Sequence, residues 1–320
     1  MRIADVLYGE FDITEPVILQ LIDHPAMLRL KGVSQYGVPE NCYPDLTAFS
    51  RFEHSVGVML LLRKLGAPLK EQISGLLHDV SHTVFSHVID RVYKGRVAFQ
   101  DSILEDYLLI SGIAEVLESY SFDYKEISSC KNFYLLEQES PELCADRVDY
   151  TLRELFSNNK EDVAMQCISE LAVSNGRIVF KSKEFAKLFA HNYLDRNMAV
   201  WASPLNIRLY SILAESLSIA LDERIITKQD LFTTDIEVMK KLYSSNHEKV
   251  ISLLQNLRIA QNVPVEDRNP KYIGAKFRYV DPLFFEGLSV RRLSESDNDF
   301  NVVLEDCKNR FNEYYKVLIS

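Results

Sequence analysis

A histidine-rich stretch at residues 74–87, SGLLHDVSHTVFSH, constrains the fold most strongly. An apolar run leads into His78 and Asp79, and His82 and His87 follow within ten residues. On one α-helix, His78 and His82 share a face and Asp79 lies about 100° around from His78, so one centre can meet the whole dipeptide. Imidazole nitrogens and carboxylate oxygens are ligands that borderline divalent metals accept. A lone His-Asp dipeptide is more often part of a core, so a metal site here requires ligands from other elements.

Candidate partners lie on both sides of this stretch. His54 belongs to RFEHS at the start of a predicted helix, and Asp146 belongs to a helix whose polar residues form a stripe opposite apolar ones. A solvated helix face explains that stripe if it is taken alone. Together with His78 and Asp79, however, these residues form a His…His-Asp…Asp set, which is typical of a metal site.

Composition limits the class of protein. The 320 residues are 47% hydrophobic and 26% charged, as in a soluble globular protein of one large or two modest domains. The net charge of −10 argues against binding to nucleic acid or an anionic membrane, although a local cationic pocket is compatible with it. The five cysteines are scattered, the N-terminus lacks a signal-peptide pattern and no apolar run can span a bilayer. We therefore expect a cytoplasmic protein with reduced thiols.

The apolar periodicity predicts a mainly α fold. Helices are expected at about 14–23, 25–32, 52–64, 68–80, 101–111, 112–121, 124–136, 141–157, 182–202, 204–221, 228–245, 247–258 and 301–318. Asn175-Gly176 between two apolar runs indicates a β-hairpin, although the first run is also compatible with a helix end. The Pro-punctuated residues 264–286 favour extended structure. A soft boundary is expected around 158–180.

Four ordered motifs resemble those of a known family. RFEHS (51–55), HDVSHTVFSH (78–87) and DRVDYTLRE (146–154) are similar to the HD-domain metal-dependent phosphohydrolases. With IDHPAMLRLKGVSQYG (22–37), the chain looks nearest to the deoxynucleoside triphosphate triphosphohydrolase branch, which includes the sterile-alpha-motif HD-domain protein. The resemblance implies an HD-domain helical core in residues 1–157. Residues 158–320 are then a smaller, mostly helical mixed α/β region that completes the pocket, an oligomer interface or both.

The resemblance implies a metal site and its ligands. His54, His78, Asp79 and Asp146 match the residues that hold one divalent transition metal, which can be iron, manganese, zinc, cobalt or nickel. Magnesium accompanying the nucleotide is a further option. Asp149 is an alternative fourth ligand, but Asp146 matches the family and places Tyr150 on the same helix face.

The resemblance also implies roles around the metal. His82 and His87 match histidines that face the phosphates, and Asp90 matches the acid that orients a catalytic histidine. In the expected mechanism a metal-activated water attacks phosphorus, and His82, oriented by Asp90, protonates the leaving oxygen.

Substrate contacts are implied on both sides of the phosphates. Arg51 and Arg147 match positions that hold phosphate oxygens, which a guanidinium can grip at two points. Gln35 and Tyr150 match positions that read the sugar, and Glu154 stands where an aspartate often contacts the ribose.

One position departs from the family pattern. The branch has a further catalytic histidine, usually in a His-Glu pair, where the best alignment here places Gln100. Glutamine can hydrogen-bond a phosphate but cannot exchange a proton near pH 7. Either His82 with Asp90 supplies the acid, or the leaving group needs less help, or hydrolysis has been lost and nucleotide binding kept.

The resemblance therefore implies a homo-oligomeric enzyme that hydrolyses a nucleotide, with a deoxynucleoside triphosphate, split into deoxynucleoside and triphosphate, as the first choice of substrate. The alternatives are hydrolysis of another phosphoester, such as a nucleoside monophosphate or a cyclic nucleotide, and a catalytically weakened nucleotide sensor. A two-iron oxygenase is a distant option, because it needs more ligands. The sole tryptophan, Trp201, has apolar neighbours and is expected in the core or an interface.

Overall fold

A computed structural model describes residues 1–43, 46–93, 98–260 and 276–319, with the side chains of Glu40 and of residues 314–319 left out. The fold is mainly α-helical with small sheets, as predicted. Within the described ranges the α-helices α1 to α16 are, in chain order, Pro16–Ile22, Pro25–Leu28, Arg51–Lys64, Leu69–Leu77, Ile89–Val92, Phe99–Ile110, Ile113–Ser119, Tyr124–Ser128, Ala145–Ser157, Glu161–Ser169, Lys183–Arg196, Pro204–Asp222, Asp235–Tyr243, Glu248–Ile259, Leu293–Ser296 and Asn298–Ile319.

Shorter helical segments connect these elements. The 3₁₀ segments are Arg29–Gly32, Glu40–Cys42, Ser86–Val88, Cys130–Asn132 and Gln229–Phe232. A π-helical segment, Asn197–Trp201, continues directly from α11.

The strands form two small sheets. In chain order, β1 to β6 are Arg2–Asp5, Gly9–Asp12, Leu171–Ser174, Arg177–Phe180, Leu283–Glu286 and Ser289–Arg292. Strands β1 and β2 form an antiparallel hairpin, and the second sheet has the order β3-β4-β5-β6, in which only β4 and β5 are parallel. The predicted hairpin at Asn175-Gly176 is confirmed: both residues have positive φ, 51° and 72°, as a two-residue turn of this kind requires.

Only part of the predicted extended stretch at 264–286 can be compared with the structure. Residues 264–275 lie outside the described residues. Residues 276–282 belong to no helix or strand, and β5 begins at Leu283.

Helix α3 begins at a defined position because its N-terminus is doubly capped. The Glu53 amide donates to Ser50 Oγ at 3.2 Å, and the Ser50 amide donates to Glu53 Oε2 at 2.7 Å. This capping box satisfies two backbone donors at the helix start. It fixes the first turn of a largely buried helix, from which Arg51 and His54 project.

Helix α4 is shorter than predicted. It ends at Leu77 instead of residue 80, because His78 Nδ1 bonds the Gly75 carbonyl oxygen at 2.7 Å, and that carbonyl would otherwise accept the amide of Asp79. His78 and His82 therefore do not share a helix face, which corrects the sequence prediction.

Other helix assignments also differ from the prediction. Helix α9 begins at Ala145 instead of 141, and α8 ends at Ser128 instead of 136. Helix α10, Glu161–Ser169, was not predicted and occupies the expected boundary region.

The hydrophobic core crosses the predicted boundary at residue 157. One cluster contains Leu61 and Leu152 together with Phe189 and Phe300. A second cluster joins Phe85, within the histidine-rich stretch, to α12 and α14. The division into residues 1–157 and 158–320 stays a prediction. No helix in the described ranges is both long enough and apolar enough to cross a membrane.

Candidate metal centre and substrate pocket

Four side chains, carried by α3, by the residues that directly follow α4 and by α9, lie close together. His54 projects from α3, His78 and Asp79 follow α4 directly, and Asp146 lies in the first turn of α9. Asp146 Oδ1 is 3.0 Å from His54 Nε2 and 3.5 Å from His78 Nε2. The Asp79 carboxylate is 3.7 Å from His54 Nε2 and 3.6 Å from His78 Nε2. The structure thus brings together the four residues expected to be metal ligands.

Each imidazole ring is held in orientation by a hydrogen bond at Nδ1, the nitrogen that does not face the centre. His78 Nδ1 lies 2.7 Å from the Gly75 carbonyl oxygen, and His54 Nδ1 lies 2.8 Å from Asp149 Oδ2. A carbonyl oxygen only accepts, so His78 Nδ1 carries a proton, and Nε2 is the nitrogen that can give up its proton to bind a metal. His78 Nε2 is buried without a hydrogen-bond partner in the described part of the chain. Imidazoles whose Nδ1 is hydrogen-bonded in this way, next to carboxylates, fit a divalent transition metal.

The electrostatics of this centre favour a cation. Burial lowers the pKa of His78, but the carboxylates of Asp79 and Asp146 outweigh it and raise that pKa to about 10. Burial works against the charge on Asp146, yet hydrogen bonds from His54 and His78 hold its pKa well below the ordinary value. The two carboxylates therefore stay ionised and attract positive charge, whether a proton or a metal ion.

His82 and Asp90 do not form the expected pair. His82 is 1% exposed, and its Nε2 lies 3.3 Å from Asp79 Oδ1. Burial and the charge of Arg51 lower its pKa to about 3, so His82 is neutral at pH 7. Asp90 instead pairs with His87 Nδ1 at 3.1 Å. The half-exposed His87, and not His82, has the orienting carboxylate.

Arg51 borders the centre as expected for a phosphate-binding residue. Its side chain is 2% exposed, ion-paired with Asp79, and donates through Nε to Ser86 Oγ at 2.7 Å. Its third nitrogen has no hydrogen-bond partner within the described ranges. This nitrogen is the donor that an anionic ligand can use.

Arg147 is engaged by the loop that precedes α9. Its guanidinium donates to the carbonyl oxygens of Glu142 and Gln138 at 2.7 and 2.8 Å. The structure thus places the second expected phosphate ligand against the loop before α9.

The same loop contributes a carboxylate that the sequence analysis missed. Ligand atoms of Glu137, Cys144 and Asp146 lie within 4.8 Å of one another. Burial and the neighbouring Asp146 charge raise the pKa of Glu137 to about 7. No motif in the sequence marked Glu137, since its proximity depends on the fold of the loop.

The expected sugar-binding residues lie further along α9. The Tyr150 ring centroid is 6.3 Å from that of His54, and the Tyr150 and Tyr193 hydroxyls are 2.7 Å apart. Glu154 Oε2 accepts the Trp201 indole N–H at 2.7 Å, and burial raises the pKa of Glu154 to about 7. Trp201 is half-buried and packs edge-on against Tyr150 at 5.3 Å. Tyr193 and Trp201, from the C-terminal half of the chain, therefore form one wall of the expected sugar site.

The two glutamines have unused acceptors. Gln35 Oε1 and Gln100 Oε1 are buried without hydrogen-bond partners among the described residues. Gln100 is 5% exposed, its amide donates to Asp101 Oδ1 at 3.2 Å, and its backbone carbonyl accepts the Ser81 hydroxyl at 3.0 Å. Gln100 therefore packs against the histidine-rich stretch.

Asp149 takes a position behind the centre. Besides His54, its carboxylate accepts the Tyr8 hydroxyl at 2.9 Å and the Arg153 guanidinium at 2.8 Å. A Cβ on Gly57 would lie 2.3 Å from Asp149 Oδ1, so glycine makes room for this contact. Sequence analysis considered Asp149 only as an alternative ligand, and Tyr8, 141 residues away, carried no signal.

Comparisons with known proteins agree with this geometry. The HD domain family model matches residues 51–154. "Metal-dependent phosphohydrolase cns2" of Cordyceps militaris is 30% identical over 294 residues, which cover 88% of this chain and 84% of the relative. "Deoxynucleoside triphosphate triphosphohydrolase SAMHD1" of Bos taurus is 33% identical over 103 residues, 28% of this chain and 17% of the relative.

A solved structure has the same fold. The crystal structure of a phosphohydrolase from Bacteroides thetaiotaomicron superposes with a TM-score of 0.66 at 17% identity, covering 95% of this chain and 96% of that one. Together, fold, site and relatives define an enzyme of the metal-dependent phosphohydrolase class. The chain belongs to the HD-domain family.

Proposed function

We propose that this enzyme hydrolyses deoxynucleoside triphosphates to deoxynucleoside and triphosphate. The observation that carries the proposal is the centre of two imidazoles and two carboxylates, in which each imidazole Nδ1 is hydrogen-bonded to an oxygen. Arg51 borders this centre, and Tyr150 and Glu154 follow it along α9. The four motifs resemble the triphosphohydrolase branch, and the similarity to the Bos taurus relative lies in the same direction.

Each residue would act through the contacts described above. His54, His78, Asp79 and Asp146 would hold the metal, which supplies Lewis-acid chemistry by neutralising phosphate charge and lowering the pKa of a water. The unpartnered nitrogen of Arg51 would donate to a phosphate oxygen.

Proton transfer and sugar binding would use two further pairs. His87, oriented by Asp90, would protonate the leaving oxygen, because this pair is half-exposed while His82 is buried and neutral. Tyr150 and Glu154 would hold the deoxyribose, whose one free hydroxyl, at C3′, can form a hydrogen bond with a phenol or a carboxyl group.

A nucleotide sensor is the second candidate. It is favoured by one observation, the buried Gln100 in the position of the branch's further catalytic histidine. In such a protein the nucleotide binds but the leaving group is not protonated efficiently.

The test is a substrate screen of protein reconstituted separately with manganese, iron, cobalt, nickel or zinc. Deoxynucleoside and ribonucleoside triphosphates, monophosphates and cyclic nucleotides are incubated, and products are identified by mass spectrometry. We expect deoxynucleoside and triphosphate from the first group. Asp79→Ala should be inactive, while Asp299→Asn, at an exposed carboxylate, should match the wild type.

Other outcomes identify the alternatives. Turnover of monophosphates or cyclic nucleotides alone would replace the proposed substrate with another phosphoester. Tight nucleotide binding without product in a single-turnover assay would support the sensor.

A further inference from the structure

A segment from the C-terminal part of the chain lies beside the loop that precedes α9. The Tyr279 carbonyl accepts the Ser140 hydroxyl at 3.2 Å, and the Asp281 amide donates to the Pro141 carbonyl at 3.0 Å. In residues 276–279 exposed residues alternate with partly buried ones, as in an extended strand. Phe277 packs on Phe311 of α16 at 5.4 Å, and Lys308 lies 5.1 Å from the Tyr279 ring. Arg278, between these two aromatic residues, therefore lies on the opposite side of the segment and is exposed.

The backbone around Arg278 is fixed by one buried amide. The Arg278 amide donates to Asn197 Oδ1 at 3.3 Å, and Asn197 Nδ2 donates to the Lys276 carbonyl at 3.5 Å. Asn197 is fully buried and begins the π-helical segment that ends at Trp201. Because Trp201 bonds Glu154, Arg278 is attached to the segment that forms the wall of the expected sugar site.

The charge of Arg278 acts on the hydroxyls of three tyrosines, of which Tyr150 belongs to the expected sugar site. Burial raises the pKa of Tyr150, Tyr193 and Tyr210, that of Tyr210 to about 12, and the Arg278 guanidinium opposes the shift at all three. Arg51 acts on Tyr210 in the same direction. The positive charges of Arg278 and Arg51 therefore both act on Tyr210, whose hydroxyl donates to the Tyr36 carbonyl at 2.8 Å.

The two arginines that the sequence assigned to the phosphates already have protein partners. Arg51 is ion-paired with Asp79, and Arg147 donates to loop carbonyls. The Arg278 guanidinium is exposed and forms no hydrogen bond or ion pair with the described residues. An anion with several charges needs more cationic donors than Arg51 alone provides.

We propose that Arg278 is a substrate-binding residue, contributed from outside the HD motifs, that pairs with a phosphate group of the nucleotide. The inference rests on the proposed function for the identity of the substrate. The pairing itself requires only a polyanionic phosphate compound in the pocket.

The test compares Arg278→Ala and Arg278→Lys with the wild type. Loss of a charge-assisted contact should raise KM for the deoxynucleoside triphosphate about tenfold or more and leave kcat within about twofold. Lysine keeps the charge but loses the planar two-point geometry, so Arg278→Lys should recover part of the loss. The matched control is Arg291→Ala, which removes an exposed arginine of β6 that pairs with Glu286.

A binding measurement separates this inference from the proposed function. Inorganic triphosphate is titrated into metal-loaded wild type and Arg278→Ala by calorimetry, and its Kd should rise about tenfold in the variant. If no nucleotide is hydrolysed but the Kd rises, the proposed function fails and the anion contact stands. If KM and Kd are unchanged in Arg278→Ala, the inference is overturned whatever the substrate.

Discussion

At the scale of single residues, the hydrogen bond between His54 Nδ1 and Asp149 decides which nitrogen faces the metal centre. Asp149 is in turn held by Tyr8 and Arg153, so its carboxylate cannot rotate freely. Carboxylates behind a metal-binding histidine commonly fix its tautomer and raise its basicity. Through this contact Asp149 contributes to metal binding although it is not itself a ligand.

Asp149→Asn should weaken metal binding about 10- to 100-fold, because the amide no longer stabilises the required ring orientation. The measurement is competition for Mn²⁺ or Co²⁺ with a chelator, accompanied by circular dichroism to verify folding. Tyr8→Phe, which removes one hydrogen bond to Asp149, should give a smaller effect, and Asp299→Asn none. A folded Asp149→Asn protein with wild-type affinity would contradict this role.

His87 is expected to act as the general acid because it is half-exposed and pairs with Asp90, whereas His82 is buried against Asp79. His87→Gln should lower kcat about 10²-fold or more with unchanged metal content. The matched control is His191→Gln, since His191 packs against Phe300 away from the centre. Equal turnover in His87→Gln and wild type would transfer the acid role to another group.

At the scale of elements, the site depends on where helices begin and end. The capping box of Ser50 and Glu53 sets the start of α3, and hence the positions of Arg51 and His54. The end of α4 sets the positions of His78 and Asp79. The centre therefore forms from helix termini, where side chains replace missing backbone partners.

Ser50→Ala should lower the free energy of unfolding by about 1 kcal/mol, because the Glu53 amide loses its acceptor. Ser182 provides the matched control, since it occupies the N-cap of α11 without a side-chain cap bond. Ser182→Ala should therefore change stability much less. Urea denaturation of both variants measures the difference, and equal losses would contradict the assigned cap.

The helices themselves were largely predictable from the sequence, whereas their ends were not. Apolar periodicity located α3, α11 and α12, but the end of α4 depends on the ring of His78 bonding its own helix. The ordered motifs predicted which four residues would meet. They could not show whether Asp90 pairs with His82 or with His87, because both histidines lie within eight residues of it. The backbone conformation of this stretch decides that His87 contacts Asp90 and His82 contacts Asp79.

At the scale of the whole molecule, burial of acidic groups links stability to pH. Burial raises the pKa of Glu154 from 4.5 to about 7 and that of Asp235, at the start of α13, from 3.8 to about 6. Between these ordinary and raised values the folded protein binds more protons than the unfolded chain. These two groups therefore make the free energy of unfolding fall as pH rises through that range.

Glu154→Gln should flatten this pH dependence between about pH 4.5 and 7, because the titrating group is gone. The free energy of unfolding is measured by denaturation at pH 5 and pH 8 for wild type and variant. Glu305→Gln, at an exposed carboxylate, is the control and should keep the wild-type difference. An unchanged difference in Glu154→Gln would contradict the raised pKa.

The most direct test of the metal centre is the metal content of reconstituted protein, measured by plasma mass spectrometry after removal of free ions. We predict about one divalent metal per wild-type chain and almost none in Asp146→Ala or His78→Ala, each verified as folded by circular dichroism. A wild-type protein that retains no divalent metal, or a folded Asp146→Ala protein that retains a full equivalent, would contradict the account.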